Sequence, residues 1–132
     1  MGAEPWHYFV PCEERVEDAL YELRKRVFWS RDFRSSEMNP ISIEQAVANA
    51  AEEGTASILD ISEISPTPQL GCACPLPDAR LTSLYGTTKP THELVASNMD
   101  FYEELDRGQG IYIVVYRHSE PHEYFFAGYS FD

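Results

Sequence analysis

The sequence predicts an α+β fold: a small, mainly antiparallel sheet of about four strands with helices packed on one face. Short aromatic and β-branched segments stand near the N-terminus, in the middle and at the C-terminus of the chain. The segments between them carry apolar residues at helical spacing. The predicted order of elements is β-α-α-β-α-α-β-β. A chain of 132 residues without internal repeats forms a single domain, residues 1–132.

The first half of the chain contains one predicted strand and two predicted helices. Trp6 to Pro11, WHYFVP, is short and aromatic, and it predicts a strand that ends at a proline. An apolar stripe at i, i+3, i+4, i+7 and i+11 then predicts a helix, formed by Val16, Ala19, Leu20, Leu23 and Val27. Residues 30–41 are polar and predict a loop. Ser42 opens the second helix, with Gln45 completing a capping box.

The middle of the chain predicts a strand, a loop and two helices. Residues 57–64, SILDISEI, are typical of a strand. The following segment, residues 65–79, holds four prolines, so we expect it to be irregular. Asp78 is expected to cap a short helix that ends at Gly86. Thr91 is expected to cap a longer one whose apolar face runs to Leu105.

The C-terminal segment predicts a hairpin of two strands, residues 111–117 and 123–129, joined by HSEPH. The first of these strands is apolar on both faces, and one face carries tyrosines. If helices cover only the other face, two interpretations remain. The loops of residues 30–41 and 65–78 cover the tyrosines, or the tyrosines form a binding wall. The candidate binding residues there are Tyr112, Tyr116 and Tyr124.

The charge of the chain limits its partners. The formal net charge is −12 and the isoelectric point is about 4.6. Such a field repels phosphate backbones and anionic lipids and attracts basic proteins. We therefore expect no nucleic acid and no membrane as partners. No apolar run is long enough for a membrane span, and the odd cysteine count without a signal segment favours the cytoplasm.

The basic residues are concentrated in one segment. Five of the ten lysines and arginines lie in residues 24–34, which with Asp32 carry a charge of +4 and leave −16 for the rest of the chain. In one interpretation, this positive charge is what is expected at the C-terminal end of a helix, where it complements the helix dipole. Alternatively, Arg31 and Arg34 beside Trp29 could bind an anionic group, or the segment could contact the acidic part of a second copy in a homodimer.

Asp60 is a further candidate binding residue, because it interrupts an apolar segment. A buried carboxylate is costly unless it is paired or hydrogen-bonded. With a cationic partner in a cleft it could take part in binding or proton transfer. The structural alternatives are an edge-strand charge that faces water or a cap to an adjacent loop.

Patterns for catalysis, metals or cofactors are weak. The sequence has no GxSxG, Walker A, GxGxxG or HExxH motif, and we assign no catalytic residue, no metal and no cofactor. Cys72 and Cys74 could hold zinc with His118 and His122, but their C-x-C spacing is not that of a zinc knuckle.

Three segments together resemble a family: WHYFVP, GTASILDI and FFAGYSFD. The chain is similar to a group of uncharacterised small bacterial proteins with a near-N-terminal strand of this kind, a GT-x-SILDI segment and an FAGYSFD ending. The resemblance implies a bacterial cytosolic protein of about this length. It implies no activity.

These observations favour a non-enzymatic, acidic, cytoplasmic binding protein of the inhibitor or immunity type. It would use its aromatic sheet face to engage a basic protein partner. The alternative is a small enzyme or anionic-ligand-binding domain with a pocket near Asp60 and residues 24–34.

Overall fold

The computed structural model describes residues 3–34 and 39–131. These residues form an α+β fold, which confirms the predicted class. The strands and helices are β1 Pro5–Pro11, α1 Val16–Ser30, α2 Ile43–Ala50, β2 Glu63–Ile64, β3 Cys72–Pro75, α3 Asp78–Tyr85, α4 His92–Ser97, β4 Gly110–Arg117 and β5 Glu120–Tyr129. The described residues also form short 3₁₀ turns at Ala51–Glu53, Ile58–Asp60 and Asp100–Glu104.

The sheet is mixed, with the strand order β1-β5-β4-β3-β2. β1 pairs antiparallel with β5, and β5 with β4, as the sequence predicts. β3 and β2, in contrast, run parallel to β4. The prediction of about four mainly antiparallel strands is therefore wrong for this half of the sheet, where α3 and α4 provide the long crossover that a parallel pair requires.

β3 arises where the prolines predicted an irregular loop. Pro66 and Pro68 precede it, and Pro75 is its last residue, so the residues between remain available for pairing. The strand predicted over residues 57–64 is instead a 3₁₀ turn followed by the short β2. Local hydrogen bonds explain the difference, because the hydroxyl of Ser57 accepts from the amide of Leu59 at 3.1 Å and bends the chain.

The first two helices agree with the sequence patterns. α1 buries four of the five residues of its predicted stripe, Ala19, Leu20, Leu23 and Val27. The Ser42 hydroxyl accepts from the Gln45 amide at 3.1 Å, and the Gln45 side chain accepts from the Ile41 amide at 2.7 Å. This confirms the predicted cap of α2. Residues 35–38 of the predicted loop lie outside the described residues.

The next two helices differ from the prediction at their ends. α3 ends at Gly86 as predicted, but Asp78 is its first residue rather than its cap. Thr91 caps α4, which ends at Ser97 instead of continuing to Leu105. Asn98 interrupts the helix, because its side chain donates to the Leu84 carbonyl at 3.1 Å and accepts from the Asp100 amide at 3.0 Å.

Helices cover both faces of the sheet, so the prediction of helices on one face is wrong. Phe125 and Phe126 are adjacent in β5 and point to opposite sides. Phe126 packs with β1 and with α1, α2 and the Ile58–Asp60 turn. Phe125 packs with α3, α4 and the Asp100–Glu104 turn. The aromatic residues of the tail are therefore divided between two cores. The core on the tyrosine side includes α1 and also Phe33 of the predicted 30–41 loop.

The edge of the sheet that holds both ends of the described chain is closely packed. Pro5 lies opposite Tyr129. The Ser130 amide donates to the Glu4 carbonyl at 2.9 Å, and the Glu4 amide donates to the Ser130 hydroxyl at 3.0 Å. A Cβ atom on Gly128 would lie 2.6 Å from the Trp6 ring and 2.5 Å from the Gln109 carbonyl oxygen. Only glycine therefore fits at this position without movement of its neighbours.

Candidate functional site

The structure distributes the candidate residues over four places rather than one. Asp60 and Arg34 lie near each other in a buried polar cluster. Trp29 and Arg31 lie at the C-terminal end of α1. Tyr112 and Tyr124 lie on the sheet beside the start of α1, and Tyr116 lies near the β4–β5 hairpin.

Asp60 is the centre of the buried polar cluster and is only 6% exposed. Its Oδ1 accepts hydrogen bonds from the Thr55 amide at 2.7 Å and from the Thr55 hydroxyl at 2.8 Å. The Thr55 and Ser57 hydroxyl oxygens are 2.7 Å apart. Oδ2 receives no hydrogen bond from the described residues. The carboxylate thus holds the turn that follows Gly54.

Burial raises the pKa of Asp60, and the hydrogen bonds from Thr55 and the charge of Arg34 oppose this rise only in part. The cause is that burial removes the water that would solvate the charged carboxylate. The hydrogen bonds to only one of its oxygens do not compensate for this lost hydration. The carboxyl group therefore holds its proton at higher pH than a free aspartate does.

Arg34 contributes to the same cluster mainly through backbone carbonyls. Its guanidinium donates to the Glu53 carbonyl at 2.6 Å and to the Gly54 carbonyl at 3.2 Å, and its amide donates to Thr55 at 2.7 Å. Arg24 similarly donates to the Leu59 carbonyl at 3.1 Å. Two residues of the basic segment thus hold the chain around Asp60.

Trp29 and Arg31 do not join this cluster. Trp29 is 73% exposed and contacts Phe28 edge-on at a centroid distance of 5.6 Å. Arg31 lies over the Phe28 ring at 4.7 Å and donates to the Pro40 carbonyl at 2.8 Å. Its φ of 61° places it in the left-handed region that ends α1.

The third place, which we call the acidic–tyrosine patch, consists of Glu13, Glu17, Asp18, Tyr112 and Tyr124. The two tyrosine rings are half-buried and meet edge-on at 6.4 Å. The Tyr124 hydroxyl donates to the Glu13 carbonyl at 3.4 Å. Glu17 and Asp18 are exposed in the first turn of α1, and Glu13 is exposed in the segment that precedes the helix. The packing of α1 on the sheet therefore places carboxylates next to tyrosines.

The pKa values of the two tyrosines reflect this neighbourhood. Burial raises the pKa of Tyr112, and the charge of Glu17 raises it further. Burial raises the pKa of Tyr124 as well, with smaller contributions from nearby groups that include Glu17 and Asp18. Both hydroxyl groups consequently remain protonated over a wide pH range and can donate hydrogen bonds.

Tyr116 lies apart from these tyrosines because the strand is irregular there. The pairing of β4 and β5 shifts between Val115 and Tyr116, which marks a β-bulge. The Tyr116 amide donates to the Pro90 carbonyl at 2.8 Å, and the Lys89 ammonium lies 5.8 Å from its ring centroid. Tyr116 therefore belongs to the surroundings of the hairpin.

Beside the hairpin, His92 at the start of α4 and Glu123 of β5 form a histidine–carboxylate pair that the sequence did not reveal. His92 Nδ1 and Glu123 Oε1 are 2.9 Å apart, and the His92 ring stacks on Phe9 at 3.9 Å. Both residues line an open cavity of about 620 Å³ together with His118 and His122. The two residues are 31 positions apart in the sequence. The only nearby sequence features were the predicted cap at Thr91, next to His92, and the predicted hairpin turn, next to Glu123, and neither indicated that the two side chains would meet.

The described residues contain no group of three or more His, Cys, Asp or Glu side chains that could hold a metal ion. Cys72 and Cys74 are both buried in β3. The described part of the chain also has no helix with the length and apolar character needed to cross a membrane.

No family model, curated protein or solved structure matches the chain.

Proposed function

We propose that the protein is a non-enzymatic binding protein that engages a basic protein partner through the acidic–tyrosine patch. The observation that carries this proposal is the position of the exposed carboxylates of Glu17 and Asp18 beside the half-buried rings of Tyr112 and Tyr124. Tyrosine is enriched at the centre of protein interfaces, where it adds apolar area and a hydrogen-bond donor. Carboxylates around such a centre select a basic partner.

The charge of the whole molecule supports the same kind of partner. A net charge of −12 accelerates the approach of a cationic protein, and salt reduces that acceleration. The protein would cover the surface of its partner by direct contact, as an inhibitor or immunity protein does. We also propose that the protein is bacterial and cytosolic. In this proposal it forms a homodimer through its basic segment, residues 24–34.

The alternative, an anionic ligand beside Asp60, has less support. Arg31 and Arg34 donate to backbone carbonyls, so a ligand would have to displace these bonds. Asp60 itself uses one oxygen to hold the Thr55 turn.

Charge reversal tests the proposal. The double variant Glu17→Lys/Asp18→Lys and the control Glu52→Lys/Glu103→Lys change the net charge equally, and all four positions are exposed. We expect wild type and control to capture the same basic protein from a cell lysate at low salt, and the patch variant to lose it. With the captured partner purified, Tyr124→Ala should weaken binding by about tenfold or more.

The result that contradicts the proposal is equal loss of binding in both charge-reversal variants, because only net charge would then matter. Failure of the wild type to retain any basic protein at low ionic strength would also contradict it. Melting temperatures of all variants show whether a loss of binding reflects loss of the fold.

A further inference from the structure

The outer face of α1 repeats the residue spacing of its apolar stripe. The apolar stripe has the spacing i, i+3, i+4, i+7 and i+11 from Val16. The same spacing from Asp18 gives a second set about 200° around the helix, which we call the outer stripe: Asp18, Tyr21, Glu22, Lys25 and Trp29. Tyr21 and Trp29 are 63% and 73% exposed. Tyrosine and tryptophan are enriched in protein interfaces, so two such rings on a water-facing stripe indicate a contact surface.

The outer stripe differs in charge from the rest of the molecule. Its two acidic residues are balanced by Lys25 and by the exposed Arg26 at its edge, whereas the whole chain carries −12. Lys25 Nζ lies 3.7 Å from Glu22 Oε2 and 5.2 Å from the centre of the Tyr21 ring. The Lys25 and Glu22 side chains remain 45% and 59% exposed, so each can take a second partner. A second copy can therefore approach this face with little local repulsion between like charges.

The outer stripe is complementary to itself in the reverse direction, because its acidic residues come first and its cations come last. Two α1 helices can lie antiparallel about a two-fold axis that passes through the middle of the stripe. Glu22 then faces Lys25 of the second copy at the centre of the contact, and symmetry makes this ion pair twice. The flanking pairs, a cation–π contact and a hydrogen bond from an indole N–H to a carboxylate, are Tyr21 with Arg26 and Asp18 with Trp29.

The outer stripe lies on a ridge between two open cavities. One cavity, of about 350 Å³, lies toward β1 and is bounded by Glu22 and Arg26. The other, of about 400 Å³, lies toward β2 and is bounded by Tyr21 and Arg24. A second α1 can therefore contact the 15-residue helix along its length of about 22 Å. A contact made by one helix from each copy is small, so we expect a dissociation constant in the micromolar range or weaker.

We propose that two copies of the protein associate through antiparallel α1 helices, with Glu22 of each copy paired with Lys25 of the other and both Trp29 rings covered. This inference rests on the homodimer of the proposed function and names the surface that forms it. Because both copies use the same surface, the assembly closes at two copies. Asp18 also belongs to the acidic–tyrosine patch, whereas Glu22 and Lys25 do not. Substitutions at these two positions therefore separate the dimer from the binding of a basic partner.

Charge swaps at Glu22 and Lys25 test the pairing. Glu22→Lys and Lys25→Glu each place like charges across the contact, and the double variant restores opposite charges. The dimer is measured by sedimentation equilibrium from about 1 μM to about 1 mM protein. Salt at about 0.15 M limits the repulsion between the acidic remainders of the two copies to about 8 Å. We expect wild type and the double variant to dimerise, and each single variant to bind itself at least about tenfold more weakly.

A mixture of the two single variants tests the antiparallel arrangement. One variant carries two cations at these positions and the other carries two anions, so each pairs with the other but not with itself. We expect the equimolar mixture to restore the dimer. The controls Glu52→Lys and Lys89→Glu make the same charge changes at exposed positions outside α1 and should dimerise like wild type. A monomeric wild type, single variants that dimerise like wild type, or a mixture that stays monomeric while all variants keep their melting temperatures would overturn the proposal.

Trp29 gives an optical measurement of the same contact, because Trp6, the other tryptophan, is buried. Quenching of tryptophan fluorescence by acrylamide should fall as wild type dimerises, and Trp29→Ala should weaken the dimer about tenfold or more. Unchanged quenching on dimerisation would contradict a contact at Trp29.

Capture of a basic protein from a cell lysate is measured on the same samples, since the proposed function predicts it independently. A wild type that captures such a partner but stays monomeric contradicts the dimer alone. A wild type that dimerises and captures no basic protein contradicts the proposed partner alone.

Discussion

Asp60 is a nearly buried carboxylate that receives hydrogen bonds from the Thr55 amide and hydroxyl on one of its oxygens. Its position in an apolar segment correctly indicated a carboxylate that needs compensation. The compensation comes from Thr55, five residues away, through a turn that the strand-like pattern concealed. The nearness of Arg34 depends on how α1 and the following chain pack, which no local pattern shows. Likewise, Tyr112 and Tyr124 were identifiable as candidates, but their acidic neighbours were not.

The raised pKa of Asp60 predicts how stability depends on pH. Between the ordinary value of 3.8 and the raised native value, the folded protein holds more protons than the unfolded chain. The free energy of unfolding therefore falls as pH rises through this window, with a slope of at most about 1.4 kcal/mol per pH unit from this group. Asp60→Asn should remove this contribution.

Urea unfolding from about pH 4 to about pH 7 measures this effect. The stability of Asp60→Asn relative to wild type should increase with pH across the window. Glu52→Gln, at an exposed position, serves as the control and should follow the wild-type profile. Parallel profiles for wild type and Asp60→Asn would show that Asp60 titrates normally.

Elements with a strong periodic pattern could be predicted, and elements fixed by side-chain bonds could not. The apolar stripe of α1 and the aromatic and β-branched segments of β4 and β5 were sufficient. β3 was hidden by its prolines, and α4 ends early because Asn98 bonds to Leu84 and Asp100. The second helical layer was missed because the sheet was expected to bury one face only. The apolar residues on both sides of β4 were in fact the signal for two covered faces.

The packing of β1 against β5 predicts a specific coupling. Gly128→Ala should destabilise the protein by about 1–3 kcal/mol, because its Cβ would meet the Trp6 ring and the Gln109 carbonyl. Part of this loss should be recovered in combination with Trp6→Phe, whose smaller ring leaves space. Gly86→Ala is the control, since only its backbone conformation is strained and no atom lies within 4 Å of its Cβ.

Unfolding of the single and double variants forms a double-mutant cycle for each glycine. Trp6→Phe should be strongly coupled to Gly128→Ala and additive with Gly86→Ala. Additivity in both cycles would show that the Trp6 ring does not restrict position 128.

At the scale of the whole molecule, β5 joins the two cores. Phe125 and Phe126 are both fully buried, one in each core. Loss of either core would expose one face of the same strand. The two sides should therefore unfold together rather than as separate units.

Circular dichroism in the near and far ultraviolet measures side-chain packing and secondary structure during the same urea titration. The two transitions should coincide in wild type, in Leu23→Ala of one core and in Phe101→Ala of the other. Each substitution should lower stability by about 2–5 kcal/mol. A variant in which one transition precedes the other would show that the molecule does not unfold in a single cooperative step.

The hydrogen bonds between Glu4 and Ser130 have a consequence for protein engineering. Because these residues lie side by side, a short peptide linker could join residues 3 and 131. New ends could then be opened at the exposed Thr88 and Lys89 between α3 and α4. Such a circular permutant would place α4 and β4 ahead of β1 in the chain while leaving the order of strands in the sheet unchanged.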